Sequence, residues 1–365
     1  MHPHIDRALT LAERSLWLSS PNPHVGCVIA APDGQVLGQG YTRRVGSAHA
    51  EVDALRDAQT HGHNVRGASA YVTLEPCSHQ GRTGPCCDAL IAAGIQKVVA
   101  SLADPNPLVA GRGFERLRAA GVAVEVGDGA AQSHRLNIGF FSRMVRKTPW
   151  VRMKVAASLD GKTALANGAS QWITSEPARA DGHAWRARAC AVLTGIGTVL
   201  HDDPRLDVRL VATERQPRLI LLDHRLETPL KARLFEVDRP LLIYTSSEDS
   251  GRRQTLEARG AGIVSLPSRS GKVDLGALLH DLAAREVNEL HVEAGAALNG
   301  ALIEAGLVDE FIIYLAPKLL GTGRDMASFG PLTELSQATA LEFISSDILG
   351  PDLRIIAQIP GRKLF

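Results

Sequence analysis

Aromatic residues make up only 4% of this 365-residue chain, so Leu, Val, Ile and Ala must fill its interior. No apolar run approaches the roughly 20 residues that span a bilayer. The opening stretch Met1-His2-Pro3-His4-Ile5-Asp6-Arg7 has no apolar signal core. An excess of one charge is missing too: 40 basic against 39 acidic residues leave a formal charge of +1. That balance excludes the polyelectrolyte footprint of a nucleic-acid binder. The five cysteines, Cys27, Cys77, Cys86, Cys87 and Cys190, are odd in number and widely spread, unlike a secreted disulfide framework. Repeats and low-complexity segments are absent. Together these absences predict a soluble, cytoplasmic protein with neither membrane nor nucleic-acid partner. What remains, 45% hydrophobic and 22% charged residues, is ordinary globular composition over a length that suits two domains.

Periodicity predicts an α/β layer in each half. A helical stripe at 5–18 ends at Pro21-Asn22-Pro23-His24, and strands at 25–30 and 35–41 flank the turn Pro32-Asp33-Gly34. Ser47 is a plausible cap for a helix reaching to Gly62, which puts His49 and Glu51 in its first turn. Strand 70–74, helix 86–93, strand 97–102, helix 114–120 and strand 122–126 complete a first domain of about 145 residues. A polar, basic stretch at 132–149 reads as carrying the linker in its later part, giving domains at 1–146 and 147–365. In the second, strands at 150–156, 191–194, 218–222, 241–244, 262–266, 289–293, 310–316, 341–344 and 353–358 alternate with helices at 177–188 and 275–285. A glycine-rich turn, 294–301, leads into a further helix.

Chemistry concentrates at 47–90. His49-Ala50-Glu51 and Glu75-Pro76-Cys77, followed by Cys86-Cys87, join one imidazole and two thiolates, the ligands tetrahedral zinc prefers, with a fourth position left for water. An unligated carboxylate two residues after the His is the proton carrier of a zinc deaminase. A structural zinc is the alternative, with His79 or Cys87 closing the shell. Spacing alone does not choose between Cys86 and Cys87. The residues Ser78 to Pro85 between the cysteines exceed the spacing of nucleic-acid deaminases, and Arg82 in that loop suits a phosphate. Cys27 and Cys190 read as small core residues, and His61, His63 and His134 as surface residues.

These motifs, with Asn22-Pro23-His24-Val25-Gly26-Cys27-Val28, Gly81-Arg82-Thr83, Asp88-Ala89-Leu90 and Asp104-Pro105-Asn106-Pro107, resemble the deaminase half of the bifunctional riboflavin-biosynthesis deaminase/reductase family. Ser158-Leu159-Asp160-Gly161, Ser170-Gln171-Trp172-Ile173-Thr174, Asp202-Asp203-Pro204, Val292-Glu293-Ala294-Gly295 and Ala316-Pro317-Lys318 resemble its reductase half. The likeness runs in order through nearly the whole chain. It implies a cytidine-deaminase-like domain followed by a dihydrofolate-reductase-like domain. The first would deaminate 2,5-diamino-6-(5-phosphoribosylamino)pyrimidin-4-one, and the second would reduce the product's ribosyl group to ribityl with NADPH.

By the same resemblance His49, Cys77 and Cys86 bind Zn2+, and Glu51 is the catalytic proton shuttle. Ala156, Trp172, Thr198, Asp202 and the turn Gly295, Ala296, Ala297, Leu298, Asn299, Gly300 and Ala301 contact NADPH. Ser170, Arg186, Leu206, Arg209 and Glu293 contact the substrate. Two arginines suit a ribose phosphate, and a helix amino terminus suits a pyrophosphate. The implied partners are therefore small phosphoribosyl pyrimidines, and the sequence is silent on homo-oligomers. The alternative is a base or nucleoside deaminase carrying a degenerate second domain. Two residues depart from the family pattern: Gly84 stands where Pro is expected, and His224 where a small hydroxyl residue is usual.

Overall fold

The computed structural model describes residues 1–78, 84–107 and 109–362 and separates into two compact units, Met1–Lys147 and Thr148–Phe365.

In the first unit the order is α1 (Pro3–Glu13), β1 (Gly26–Ala30), β2 (Val36–Tyr41), α2 (Ala50–Thr60), β3 (Ser69–Val72), α3 (Cys86–Ala92), β4 (Lys97–Ala100), α4 (Arg112–Ala119), β5 (Ala123–Val126), α5 (Ala130–Leu136) and α6 (Ile138–Arg146). Its five strands run β2-β1-β3-β4-β5. The β1 strand is antiparallel to both β2 and β3, and β4 and β5 continue in parallel. Glycines set how closely helices approach. A Cβ on Gly26 would sit 1.9 Å from the Ala8 carbonyl oxygen of α1, and one on Gly40 2.4 Å from that of Ala50 in α2. Because Cys27 pairs with Gly40, α1 and α2 cover opposite faces of the sheet. The stretch at 132–149 is helical as far as Arg146, and the division between the two units, after Lys147, falls in its later part. Its basic residues disguise an apolar side of α6, where Ile138, Phe140 and Phe141 are buried. His63 and His134 are half-buried, not surface residues: His63 Nδ1 is 2.6 Å from the Leu37 carbonyl oxygen, and His134 packs on the Phe141 ring.

The second unit runs β6 (Trp150–Ser158), β7 (Lys162–Leu165), α7 (Glu176–Arg188), β8 (Ala191–Gly195), α8 (Ile196–Asp202), β9 (Arg218–Leu222), β10 (Leu241–Thr245), α9 (Ser250–Glu257), β11 (Ala261–Ser265), α10 (Leu275–Ala284), β12 (Glu289–Val292), α11 (Ala296–Glu304), β13 (Glu310–Ala316), β14 (Gly323–Asp325), β15 (Glu342–Leu349) and β16 (Asp352–Gln358). Nine strands form one sheet in the order β11-β10-β9-β8-β12-β6-β13-β16-β15, and β14 pairs with β7 separately. The sheet is parallel from β11 to β13, and β16 and β15 add an antiparallel edge.

One face of this sheet is apolar. Val151, Met153, Leu193, Leu290 and Val292 pack there under Leu278, Leu279 and Leu282 of α10 and Leu302 of α11. The opposite face under α7 is charged. Arg152 is buried between Glu289 and Glu310, and the Trp150 indole N–H donates to Glu310 at 3.0 Å. Such a cluster is tolerated only because each carboxylate has a hydrogen-bonded partner. No helix among the described residues is long and apolar enough to cross a membrane.

Candidate active sites

Two helix amino termini meet in the first unit. His49, not Ser47, is the residue capping α2, and Cys86 is the first residue of α3. Cys77 follows β3. The His49 Nδ1 lies 3.2 Å from Cys86 Sγ and 3.5 Å from Cys77 Sγ, and one ligand atom from each residue falls within 4.8 Å of the others. One imidazole and two sulfurs at this spacing match the donor set and size of a tetrahedral zinc site that keeps one position open. Partial positive charge at both helix ends favours the anionic sulfurs that metal binding requires. The Cys77 thiol is brought down to about 4, first by its hydrogen bond with Cys86 and further by His49, while the Cys86 thiol is pushed up by the same shared proton. Cys87 turns away, with its Sγ at 3.2 Å from the Pro76 carbonyl oxygen.

Glu51, in the first turn of α2, is 4% exposed. Burial, with the Cys77 thiolate beside it, raises its carboxyl to about 7. A group that exchanges its proton near neutrality can act as both acid and base.

The frame behind this site was not evident from the sequence. Glu75 is buried and accepts four backbone N–H groups: those of Asp104 at 3.1 Å, Gly111 at 2.9 Å, Gly113 at 2.8 Å and Phe114 at 3.4 Å. It therefore ties the chain leading into Cys77 to the loop carrying Asp104 and Asn106. Burial raises the Asp104 carboxyl to about 7. Asn137 does the same for Asn22-Pro23-His24: its Oδ1 accepts from His24 N at 2.6 Å and its Nδ2 donates to the His24 carbonyl at 2.9 Å. Gly84 is exposed, and a Cβ there would meet open space. His79 and Arg82 lie outside the described residues.

In the second unit the carboxyl end of β12 places Glu293 against Arg186 in the last turn of α7. The guanidinium holds both carboxylate oxygens, Nε to Oε1 at 2.7 Å and Nη2 to Oε2 at 2.9 Å. Arg186 keeps the Glu293 carboxyl well below the usual range despite its burial, with Lys154 Nζ adding from 3.9 Å. The same guanidinium donates to the Asp207 carbonyl. Asp207 in turn holds Arg209 at 2.6 Å, and the Arg209 backbone N–H donates to His183 Nδ1 at 3.1 Å. Leu206, buried at φ 51°, precedes them. Arg186, Arg209 and Glu293 thus form one hydrogen-bonded cluster around Asp207, which Leu206 adjoins in the chain. Lys154 and His183 belong to it as well, and neither was singled out from sequence because nothing local marks a lone basic residue in a strand or helix.

Gly295 caps α11 and Gly195 caps α8, and the Leu298 side chain bridges the two, 3.4 Å from a Cβ position on Gly195. Both helix starts stand at the carboxyl edge of the parallel strands, where open α/β sheets bind nucleotides. Gly300 is obligatory, since a Cβ would fall 1.8 Å from the Ser328 carbonyl oxygen. Thr198 and Asp202 lie on α8, and Ala156 on β6. Ser170 and Trp172 lie before α7. The Trp172 ring is 60% exposed under the Arg179 guanidinium at 4.6 Å, so an apolar plane faces solvent. His224 is half-buried, and its carbonyl accepts from Thr245 and Ser246.

Residues 2–102 match the cytidine and deoxycytidylate deaminase zinc-binding region, and residues 149–355 match the RibD C-terminal domain. The chain is 44% identical over 359 residues to the riboflavin biosynthesis protein RibD of Escherichia coli, covering 96% of this chain and 97% of that one. Among solved structures it resembles Acinetobacter baumannii RibD at a TM-score of 0.89 and 40% identity, with 97% of each chain covered. It also resembles a diaminohydroxyphosphoribosylaminopyrimidine deaminase/5-amino-6-(5-phosphoribosylamino)uracil reductase of Thermotoga maritima, at 0.86 and 31%, covering 98% of this chain and 97% of that one.

Proposed function

The chain belongs to the RibD family of bifunctional riboflavin-biosynthesis deaminase/reductases, and from that premise we propose which residues carry its two reactions. Residues 1–146 hold the deaminase and 147–365 the reductase. The observation that carries the reading is the His49, Cys77 and Cys86 cluster with the buried Glu51 beside it.

His49, Cys77 and Cys86 would hold zinc, and the chemistry it would supply is the acidification of a water. Glu51 accepts a proton from the attacking water and delivers one to the departing amine of 2,5-diamino-6-(5-phosphoribosylamino)pyrimidin-4-one. The ring carbon exchanges its C–N bond for C–O, and ammonia leaves. A carboxyl that titrates near 7 loses little in either direction of this transfer.

NADPH serves the second unit as hydride donor. The α11 start, Gly295 to Ala301, would hold its pyrophosphate, and Ala156, Trp172, Thr198 and Asp202 would contact the rest of it. Arg186 and Arg209 bind the ribose phosphate of 5-amino-6-(5-phosphoribosylamino)uracil. Ser170, Leu206 and Glu293 orient the ribosyl group that becomes ribityl. The enzyme is cytoplasmic in this reading.

The test follows ammonia release and NADPH absorbance together in zinc-loaded protein given the diaminopyrimidine. Ammonia first, then NADPH oxidation that depends on it, is expected. Ammonia without oxidation would overturn the reductase half and turn attention to His224.

A further inference from the structure

Residues Glu289, His291 and Glu293 of β12 and its carboxyl end alternate onto the α7 face of the sheet. His291 lies level with Arg152 on β6 and Val192 on β8. The two carboxylates have firm cationic partners: Glu289 takes Arg188 Nε at 2.9 Å as well as Arg152, and Glu293 takes Arg186. His291 has none of comparable quality. It is 2% exposed, and neither ring nitrogen has a hydrogen-bond partner among the described residues. Its Nε2 stands 3.5 Å from Glu293 Oε1, at the outer limit of hydrogen-bonding distance. On the adjacent strand the Thr194 hydroxyl is also fully buried, with no hydrogen-bond partner among the described residues. An aliphatic residue would fill this place without burying polar atoms, so the imidazole needs a purpose. Burial, with Arg186 and Lys154 nearby, keeps it neutral, leaving a single N–H to offer.

We propose that His291 is a positioning residue for the reductase reaction, acting through Glu293. This rests on the assignment of Glu293 to the reductase substrate site. Arg186 grips the carboxylate from α7, while His291 approaches Oε1 from the sheet behind it. When substrate phosphate engages the guanidinium, the grip on Glu293 relaxes, and the imidazole N–H closes on Oε1 to hold the carboxylate in place. Contacts of this type are often long in the free enzyme and shorten in the complex. His291 touches no reacting atom. Its effect falls on turnover, because small misplacements of an orienting group are felt most in the transition state.

The experiment compares full-length wild type with His291→Leu and His291→Gln, supplied directly with 5-amino-6-(5-phosphoribosylamino)uracil and NADPH. His291→Leu should lower reductase kcat about tenfold while KM stays within about twofold and NADPH binding, read by fluorescence, is retained. His291→Gln keeps an N–H donor and should recover most of the loss. If the Leu variant fails to bind NADPH, His291→Phe fills the volume without a donor and takes its place. Unchanged kcat in the donorless variant overturns the proposal. So does a Gln variant no better than Leu, or loss of NADPH binding in both Leu and Phe variants. In each of those cases wild-type turnover stands, whereas no NADPH oxidation by wild type would overturn the reductase assignment itself.

Discussion

The two arginines assigned to the ribose phosphate differ in burial, and that difference separates binding from stability. Arg209 is 49% exposed and paired with Asp207, whereas Arg186 is 10% exposed and paired with a Glu293 that is 12% exposed. Each should supply a charge-assisted hydrogen bond to phosphate worth about 1.5–3 kcal/mol, so either Ala substitution should raise the reductase KM about 10- to 150-fold. Stability diverges. Asp207 is itself only 13% exposed, but the solvent-facing Arg209 leaves the pair open to screening, and it is worth about 0–1 kcal/mol. Removing Arg186 leaves a buried carboxylate with only Lys154 at 3.9 Å and His291 at 3.5 Å, which costs about 3–5 kcal/mol. For a unit of this size that lowers the melting temperature by about 6–20 °C. Steady-state NADPH oxidation gives KM. A tryptophan-fluorescence melt is weighted towards this unit, which holds Trp150, Trp172 and Trp185 against Trp17 in the first unit. Equal melting shifts for Arg209→Ala and Arg186→Ala, or KM unchanged in both, would refute the reasoning.

Glu51→Gln should keep zinc, measured by elemental analysis, and lose ammonia release; persisting release would remove Glu51 from the mechanism. Stripping the metal with a chelator should abolish deamination yet leave NADPH oxidation of the preformed uracil substrate intact, so parallel loss of both would argue against separate sites. Glu75→Gln replaces an acceptor shared by four amides and should destabilise the first unit by at least about 1.5–3 kcal/mol in denaturant unfolding; an unaltered midpoint would show that the loop holds itself. His183 should make the second unit acid-sensitive. Burial, with Arg186 and Arg209 close by, lowers its imidazole to about 4, against about 6.5 when unfolded. Above pH 6.5 neither state is protonated. As pH falls from 6.5 to 4 the unfolded chain takes up the proton first, and stability should drop by an amount on the order of 2 kcal/mol. His183→Gln should flatten unfolding free energy across that window, and an unchanged slope would exclude His183 as its source.

The cluster of His49, Cys77 and Cys86 was legible because zinc deamination restricts residue type and spacing at once. Cys86 and Cys87 could not be separated by spacing, since adjacent residues at a helix start differ only in the direction they face, and the packing of α3 decides that. Glu75 looked like part of the motif without a role of its own, because its partners are backbone amides far along the chain with no signature of their own. The sequence pattern located most strands of the nine-stranded sheet, whose apolar runs are continuous. It missed α8 and α9. The first is a seven-residue turn of helix, and the second carries Ser250, Gly251, Arg252, Arg253 and Gln254, with Leu256 its sole buried residue. Ser47 looked like the α2 cap on propensity alone, and His49 holds that position with no side-chain cap bond. The cluster with Cys77 and Cys86 takes an imidazole at this position, a residue type that capping propensity does not favour.

Glu75 reads its neighbours by main-chain amides, not by side chains, and this divides what the loop from 104 to 114 can tolerate during divergence. Many side chains there can change without disturbing the clamp. Length cannot, because one inserted or deleted residue would move the amides of Gly111, Gly113 and Phe114 past the carboxylate. Position 113 cannot gain a side chain either, since a Cβ would lie 2.1 Å from the Pro76 carbonyl oxygen. The loop beside the deaminase centre therefore works as a ruler, fixed in count and closed to a side chain at position 113. Engineering of substrate range at this site should substitute within the loop and leave insertions to other surfaces.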